Sequence, residues 1–274
     1  MTGLYLGRIP RSGDIVLTFS AERGYNNKYM PKKIKKAIIL AGGKGTRLYP
    51  VTLETPKPLL TVNKRPIINY LIDMFKKHGV EEIAITVRKS DFDDFSWWLR
   101  RWQNDLGGVW VNIMTEEEPM GTIGYWAHHL HAWTGNEPFF LTNGDELKDI
   151  DLSAMAEHHH KSGAKATIAA VEVPNPSEYG VIVFDGDRVE RFLEKPKDPP
   201  SNFISSGLYL LSPEIRTHLL SAIENGEKFL MIEKNLFPKL AENKELSAFK
   251  SDGKWFDCGN LERWEKAIKE WDQK

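Results

Sequence analysis

The chain has 274 residues, of which 41% are hydrophobic and 27% charged, with a formal net charge of −1. That length admits one large α/β domain or two small ones, and the apolar share is enough for a substantial core. The near-zero charge argues against a general nucleic-acid binder. The single cysteine, Cys258, excludes an internal disulfide framework and fits a reducing cytoplasm, and no apolar run reaches the roughly eighteen residues of a membrane span.

Residues 1–35 read as an N-terminal extension with no assigned role. Asp14–Ser20 is a candidate strand, Asn26–Lys36 is a polar, basic linker, and the start of the chain lacks the apolar core of a signal peptide. From Lys36, apolar strands at Ala37–Leu40, Ile83–Val87, Val109–Met114 and Phe139–Leu141 alternate with amphipathic helices at Pro66–Lys77, Phe92–Asn104 and Gly121–Trp133. This alternation predicts right-handed βαβ units and a Rossmann-like, mostly parallel mixed sheet flanked by helices. After Asp151 the texture changes. A helix at Leu152–Lys161 leads to a buried strand at Thr167–Val173. A hairpin follows, with strands Val181–Phe184 and Val189–Phe192 around Asp185-Gly186-Asp187. Strands Ile204–Leu211 and Leu246–Phe249 and a closing helix, Asn260–Trp271, complete the pattern. Residues 36–274 are therefore expected to form an α/β first half, 36–150, and a smaller α+β second half, 151–274.

The first predicted strand runs into Leu40-Ala41-Gly42-Gly43-Lys44-Gly45-Thr46-Arg47-Leu48-Tyr49-Pro50, followed by Thr55-Pro56-Lys57-Pro58. Glycines at a strand end let the backbone come close to a ligand and turn its N–H groups toward it. Arg47 and Lys57 bring two cations to the same place, which suits a polyphosphate. A tight structural turn is the plain alternative, but it has no need of two clustered cations. The loop is not a Walker A motif, which needs Gly-Lys-Ser/Thr opening a helix. It is not a dinucleotide fingerprint either, because Leu48 stands where the third glycine belongs.

Gly-Gly-x-Gly-Thr-Arg-Leu-x-Pro followed by Pro-Lys-Pro resembles the signature of the sugar-1-phosphate nucleotidyltransferases, and further matching motifs extend the resemblance from about Lys36 to Trp264. The resemblance implies an enzyme that joins a nucleoside triphosphate to a sugar 1-phosphate and releases pyrophosphate. It assigns 36–150 to the nucleotide and 151–274 to the sugar. Leu40, Ala41, Gly42, Gly43, Gly45 and Thr46 then cradle the triphosphate, and Arg47 and Lys57 are the catalytic cations. Some relatives continue into a C-terminal β-helix, which is not expected here.

Phe139-Phe140-Leu141-Thr142-Asn143-Gly144-Asp145 is an apolar strand ending in a carboxylate, placed to hold Mg²⁺ at the carboxyl edge of a sheet. Trp255-Phe256-Asp257-Cys258-Gly259 resembles the family's Trp-x-Asp-x-Gly motif. The resemblance makes Asp145 and Asp257 the metal ligands and Mg²⁺ the cofactor. Glu146 is expected to be a solvated loop residue, and Cys258 a small core hydrophobe in place of the family's usual aliphatic residue.

On the sugar side, Glu178-Tyr179-Gly180-Val181 and Phe192-Leu193-Glu194-Lys195-Pro196 resemble the family's Tyr-Gly and Glu-Lys-Pro elements. Gly180 would let the backbone approach the sugar, Glu194 would accept its hydroxyls and Lys195 would neutralise its phosphate. Ile204-Ser205-Ser206-Gly207 departs from the family's Asn-Ala-Gly, so Ser205 leaves the sugar's identity open.

Thr115-Glu116-Glu117-Glu118-Pro119-Met120-Gly121 lies where the family reads the base, with Glu116, Pro119 and Gly121 as contacts. An ionised carboxylate only accepts hydrogen bonds, and guanine offers adjacent N–H donors, whereas thymine and uracil offer one flanked by acceptors. The pattern is similar to the guanylyltransferase branch that acts on mannose 1-phosphate, which implies GTP and GDP-mannose. A thymidylyl- or uridylyltransferase acting on glucose 1-phosphate is the alternative. A non-catalytic regulatory homologue would be expected to have lost Arg47, Lys57, Asp145 or Asp257, and all four are present. The partners expected are the two substrates, with no nucleic acid and no membrane; a homo-oligomer stays open.

His158-His159-His160 cannot all face one ion from a helix and is expected to be solvated, as are His128, His129 and His131. Trp97, Trp98 and Trp102 sit at helical spacing and are expected in the core or at a subunit contact.

Overall fold

The computed structural model describes residues 33–186 and 188–271. The candidate strand Asp14–Ser20, the linker up to residue 32, Asp187 of the hairpin turn and the side chain of His131 lie outside what it describes.

The first half runs β1 (Lys36–Leu40), α1 (Val51–Glu54), β2 (Thr61–Val62), β3 (Arg65–Pro66), α2 (Ile67–Lys77), β4 (Glu82–Arg88), α3 (Phe92–Trp102), β5 (Trp110–Glu116), α4 (Gly124–Thr134), β6 (Phe139–Asn143) and β7 (Glu146–Lys148). The second runs α5 (Leu152–Ser162), β8 (Ala166–Glu172), β9 (Gly180–Asp185), β10 (Arg188–Glu194), β11 (Phe203–Leu211), α6 (Arg216–Glu224), α7 (Phe237–Glu242), β12 (Leu246–Lys250), β13 (Trp255–Asp257) and α8 (Leu261–Glu270). Every long periodic segment forms the element its pattern predicts. The unpredicted ones are short: α1, β2, β3, β7, α6, α7 and β13, with a π-turn at Ile232–Leu236. Segments this short carry too few residues for a period to register.

One nine-stranded sheet has the order β5-β4-β1-β6-β11-β8-β12-β10-β9. It is parallel from β5 to β6. Beyond β6 it departs from the mostly parallel sheet the sequence predicts: β11 is antiparallel to β6, β8 and β9, and β10 to β9 and β12, while β8 and β12 are parallel. The links from β8 to β11 are too short for the crossover that a parallel neighbour requires. The second half continues the same sheet and closes no separate one.

β1 lies between β4 and β6, so the chain builds outward from β1 to β5 and then returns to β1's other side. Order reversal of this kind opens a crevice at the carboxyl ends of the strands. The strand ends there are Leu40 and Asn143.

Alternating residues of β1 feed two cores. Ile38 joins the cluster under α4, α6 and α7, while Ala37 and Ile39 join that under α2, α3 and α5. A third cluster gathers Leu48, Val62, Ile67, Leu147, Cys258, Ala267 and Trp271. It ties the glycine-rich loop, β7, β13 and α8 into one block beside the crevice. Among the described residues no helix is long and apolar enough to cross a membrane.

Candidate active site

The Leu40 carbonyl accepts the Gly144 N–H at 2.9 Å, and the Ala41 N–H donates to Thr86 O at 2.8 Å. These bonds lock the ends of β1, β4 and β6 together. Gly45 then turns the chain with φ +64°, and its carbonyl accepts both the Leu48 N–H and the Thr52 hydroxyl at 2.8 Å. Leu48, fully buried, anchors the far end of the loop.

Two cavities open at the crevice and share Asn143 and Asp145. The first, of about 340 Å³, is walled by Leu40, Ala41, Gly42, Gly43, Glu116, Pro119 and Gly121, with Lys57, Thr86, Thr122, Phe229 and Met231. The second, of about 180 Å³, takes Arg47, Gly180, Glu194, Lys195, Ser205 and Asp257, with Tyr179, Tyr209, Glu233 and Arg263. Gly45 and Thr46 line neither; Gly45 shapes the turn and Thr46 starts the short helical turn that carries Arg47. Arg47 thus stands in the second cavity, while Lys57 stands in the first.

Lys57 is buried and forms an ion pair with Asp145. Burial works to raise the Asp145 carboxyl, but Lys57, and Lys148 behind it, outweigh burial and hold it below the usual carboxylate range. Asp257 reaches the same place by strand pairing: β13 runs antiparallel to β7, with Asp257 opposite Glu146. The Cys258 N–H donates to the Asp145 carbonyl at 3.3 Å. Asp257 accepts from Arg263 Nη1 at 2.6 Å and from the Tyr179 hydroxyl at 3.4 Å. Gly259 permits the approach of Arg47. A Cβ there would stand 2.6 Å from Asp257 Oδ1 and 3.2 Å from Arg47 Nη2.

Glu146 is not the solvated loop residue the sequence suggests. It opens β7, is 9% exposed, and accepts from Asn143 Nδ2 at 3.2 Å and Trp255 Nε1 at 2.9 Å. Its ion-pair partner is Lys148, 3.1 Å away, whose ammonium also donates to Thr142 Oγ1 at 2.7 Å and the Gly207 carbonyl at 3.1 Å. Burial pushes the Glu146 carboxyl up and the Lys148 ammonium down. This buried pair forms the floor beneath Asn143, Asp145 and Gly207.

On the sugar side of the sequence reading, Gly180 lines the second cavity, but its missing side chain makes room for a ring. A Cβ there would lie 2.3 Å from Phe192 Cζ. Lys195 takes a left-handed backbone, φ +48°, and pairs with Glu194 at 3.3 Å. Ser205 spends its hydroxyl inside the chain: it accepts the Gly207 N–H and donates to Tyr209 Oη, each at 3.2 Å.

Glu116 ends β5, and a Cβ on Gly42 would stand 3.2 Å from its Oε2. Burial pushes its carboxyl up to about 7. Full ionisation at neutral pH, which the sequence argument assumed, therefore does not hold for the free protein. Glu117, next in sequence, is exposed and pairs with Lys89 at 2.7 Å.

The histidine run also divides. His159 is buried between the Thr167 hydroxyl at 2.7 Å and that of Ser212 at 2.9 Å, so it is a core residue, and burial lowers its pKa to about 4. Trp98 is buried with its Nε1 on Asn69 Oδ1 at 2.8 Å, whereas Trp97 is 69% exposed. Cys258 is buried in the third cluster. Sequence reasoning did not single out Asn143, Thr122, Tyr209, Glu233 or Arg263. Only Arg263 had a local signal, as the third residue after the helix-capping Asn260, whose side chain accepts its N–H at 2.9 Å.

Residues 36–274 match the family described as nucleotidyl transferase. A mannose-1-phosphate guanyltransferase of Debaryomyces hansenii is 40% identical over 228 residues, which span 82% of this chain and 61% of that protein. The chain thus covers about 61% of the length of the curated relatives it matches. Among solved structures, a Bacillus anthracis protein provisionally named a glucose-1-phosphate thymidylyltransferase superposes with a TM-score of 0.77 at 25% identity, covering 86% of this chain and 94% of that one. A UDP-glucose pyrophosphorylase holding UDP-glucose gives 0.74 at 26%, covering 87% and 98%.

Proposed function

The chain belongs to the nucleotidyl transferase family, and from that membership we propose that it transfers a guanylyl group from GTP to mannose 1-phosphate, giving GDP-mannose and pyrophosphate. One observation carries the reading: the cavity walled by the glycine-rich loop and Glu116 meets the polar cavity at Asp145 and Asn143. GTP would occupy the first and the sugar 1-phosphate the second, bringing the α-phosphorus and the attacking phosphate oxygen to the shared boundary.

The chemistry needs no protein nucleophile. A sugar-phosphate oxygen is already anionic; it forms the new bond to the α-phosphorus as the bond to the bridging β-phosphate oxygen breaks and pyrophosphate leaves. The protein's part is alignment and charge neutralisation. Arg47 and Lys57 would hold the phosphates from opposite sides, and the backbone of Gly42 and Gly43 would admit them closely. Mg²⁺ would be held by Asp145 and Asp257. Both are hard oxygen donors that line one cavity. Water and phosphate oxygens would complete its shell. When bound, the ion neutralises charge on the phosphate oxygens. Gly180, Glu194, Lys195 and Ser205 would flank the sugar phosphate.

The raised Glu116 favours a second reading. A protonated carboxyl donates one hydrogen bond and accepts another, which matches thymine or uracil. A thymidylyl- or uridylyltransferase acting on glucose 1-phosphate is therefore the alternative, in keeping with the structural neighbours' names. A matrix of nucleoside triphosphates against sugar 1-phosphates, read by pyrophosphate release, decides between them. Fastest turnover on GTP with mannose 1-phosphate upholds the first reading, and faster turnover on dTTP or UTP replaces it with the second.

A further inference from the structure

The second cavity carries six carboxylates, Asp145, Glu146, Glu178, Glu194, Glu233 and Asp257. Five of them have a cation within ion-pair distance: Lys57, Lys148, Arg263 (for both Glu178 and Asp257) and Lys195. Glu233 has none within that distance among the described residues. It is held instead by the Thr122 hydroxyl, which donates to Glu233 Oε2 at 2.8 Å and accepts the Ile232 N–H at 2.8 Å. A carboxylate without a cation, in a cavity open to a ligand, is a strong and selective acceptor for hydroxyl groups. Burial raises its proton affinity, outweighing its hydrogen bonds, including that from Thr122, and the more distant attraction of Lys195.

Tyr209 supplies the complementary donor. It is 2% exposed, lines the same cavity, and its Oη accepts from Ser205, whose own oxygen is taken by the Gly207 N–H. The chain Gly207 N–H to Ser205 O–H to Tyr209 leaves the phenolic O–H as a donor with no hydrogen-bond acceptor among the described residues. Ser205 lines the cavity, but its hydrogen is spent on Tyr209, so the donor that an amide would supply at that position passes to its partner.

Resting on the transferase reading above, we propose that Glu233 and Tyr209 are the sugar-selecting residues of this chain, Glu233 accepting from and Tyr209 donating to ring hydroxyls of a neutral hexose 1-phosphate. The placement of Glu233 explains why selection can be strict. Its carboxylate is fixed by Thr122, a residue of the first cavity's wall, and Phe229 and Met231 of the same segment line that cavity too. A site built to bond a hydroxyl discriminates strongly, because a mismatched sugar leaves its buried polar groups unpaired.

The test is steady-state pyrophosphate release by the full chain and by Glu233→Gln and Tyr209→Phe, with mannose 1-phosphate, glucose 1-phosphate and 2-deoxyglucose 1-phosphate. Glu233→Gln is expected to raise KM for the preferred sugar phosphate on the order of 10- to 100-fold and to shrink the preference among the three by a similar factor. KM for the nucleotide should stay within about twofold, since uniform loss of binding energy is not at issue. Tyr209→Phe should do the same to a smaller degree. If both variants lose rate equally on all three sugars, or keep the wild-type preference, the inference fails while the transferase reading stands. If the wild-type chain releases no pyrophosphate on any pair, that reading fails and the inference with it. Should Glu233→Gln not fold, Thr122→Val, which removes the hydroxyl holding the carboxylate, and Tyr209→Phe give the same readout, and an unchanged preference in both overturns the proposal.

Discussion

The two cavities are built from different materials. The first is mostly backbone and apolar wall, with Glu116 and Lys57 as its charged contributions beside the shared Asp145. The second is almost wholly polar, with six carboxylates facing Arg47, Lys195 and Arg263. On the proposed reading, the first would take a base at Glu116 and a chain of phosphates along backbone N–H groups. The second would have to tell one ring of hydroxyls from another, a task for its side chains.

If the boundary between them is where charge is neutralised, its two cations should matter most. Arg47→Ala and Lys57→Ala are expected to lower kcat on the order of 10²–10³-fold, the loss typical of removing a preorganised charge partner. Near-wild-type turnover in either variant would remove that residue from the chemistry. Lys57→Ala has a second consequence. It strips the partner from Asp145, so thermal unfolding should also shift downward for Lys57→Ala and hardly at all for Arg47→Ala, which has no ion-pair partner among the described residues.

The next test sharpens the assignment of the carboxylates. Asp257→Asn keeps the shape of the side chain but weakens its bond to Arg263 and its hold on a cation. The Mg²⁺ concentration for half-maximal rate is expected to rise roughly 10- to 100-fold, with a full-rate plateau partly recovered at high Mg²⁺. Chelation should abolish turnover of the parent protein, and unchanged activity in excess chelator would contradict a metal-dependent step.

What the sequence revealed follows the same division. Leu40 to Lys57 is contiguous, so its strand, glycines and cations could be read as one phosphate-binding unit. The long helices and parallel strands were legible because each repeats its period several times. The second cavity is gathered from segments around residues 47, 145, 180, 194, 207, 233 and 260, brought together by strand pairings such as β7 with β13 that last three residues. Nothing local marks Glu233, whose role depends on Thr122 more than a hundred residues away. Glu146 misled for the same reason: an acidic residue after a strand is usually solvated, and only the buried Lys148 and the half-buried Trp255 make it part of the floor.

The smallest effect is also the most direct probe of the first cavity. Glu116 titrates near 7 because burial disfavours its charge, and the Tyr125 ring lies close enough to feel that charge. A carboxyl raised in the folded state contributes stability below its ordinary range and loses it as pH rises toward about 7. Guanine requires the opposite form, so GTP binding should release a proton near neutrality. KM for GTP is then expected to rise as pH falls below 7, by at most about tenfold per pH unit for one ionisation, while the sugar-phosphate KM stays flat. Glu116→Gln should flatten the GTP profile, and melting curves between pH 5 and 8 should lose the matching slope. If dTTP binding strengthens below pH 7 while GTP binding does not respond, the protonated carboxyl is the form that reads the base, and the guanylyl assignment gives way to the thymidylyl one.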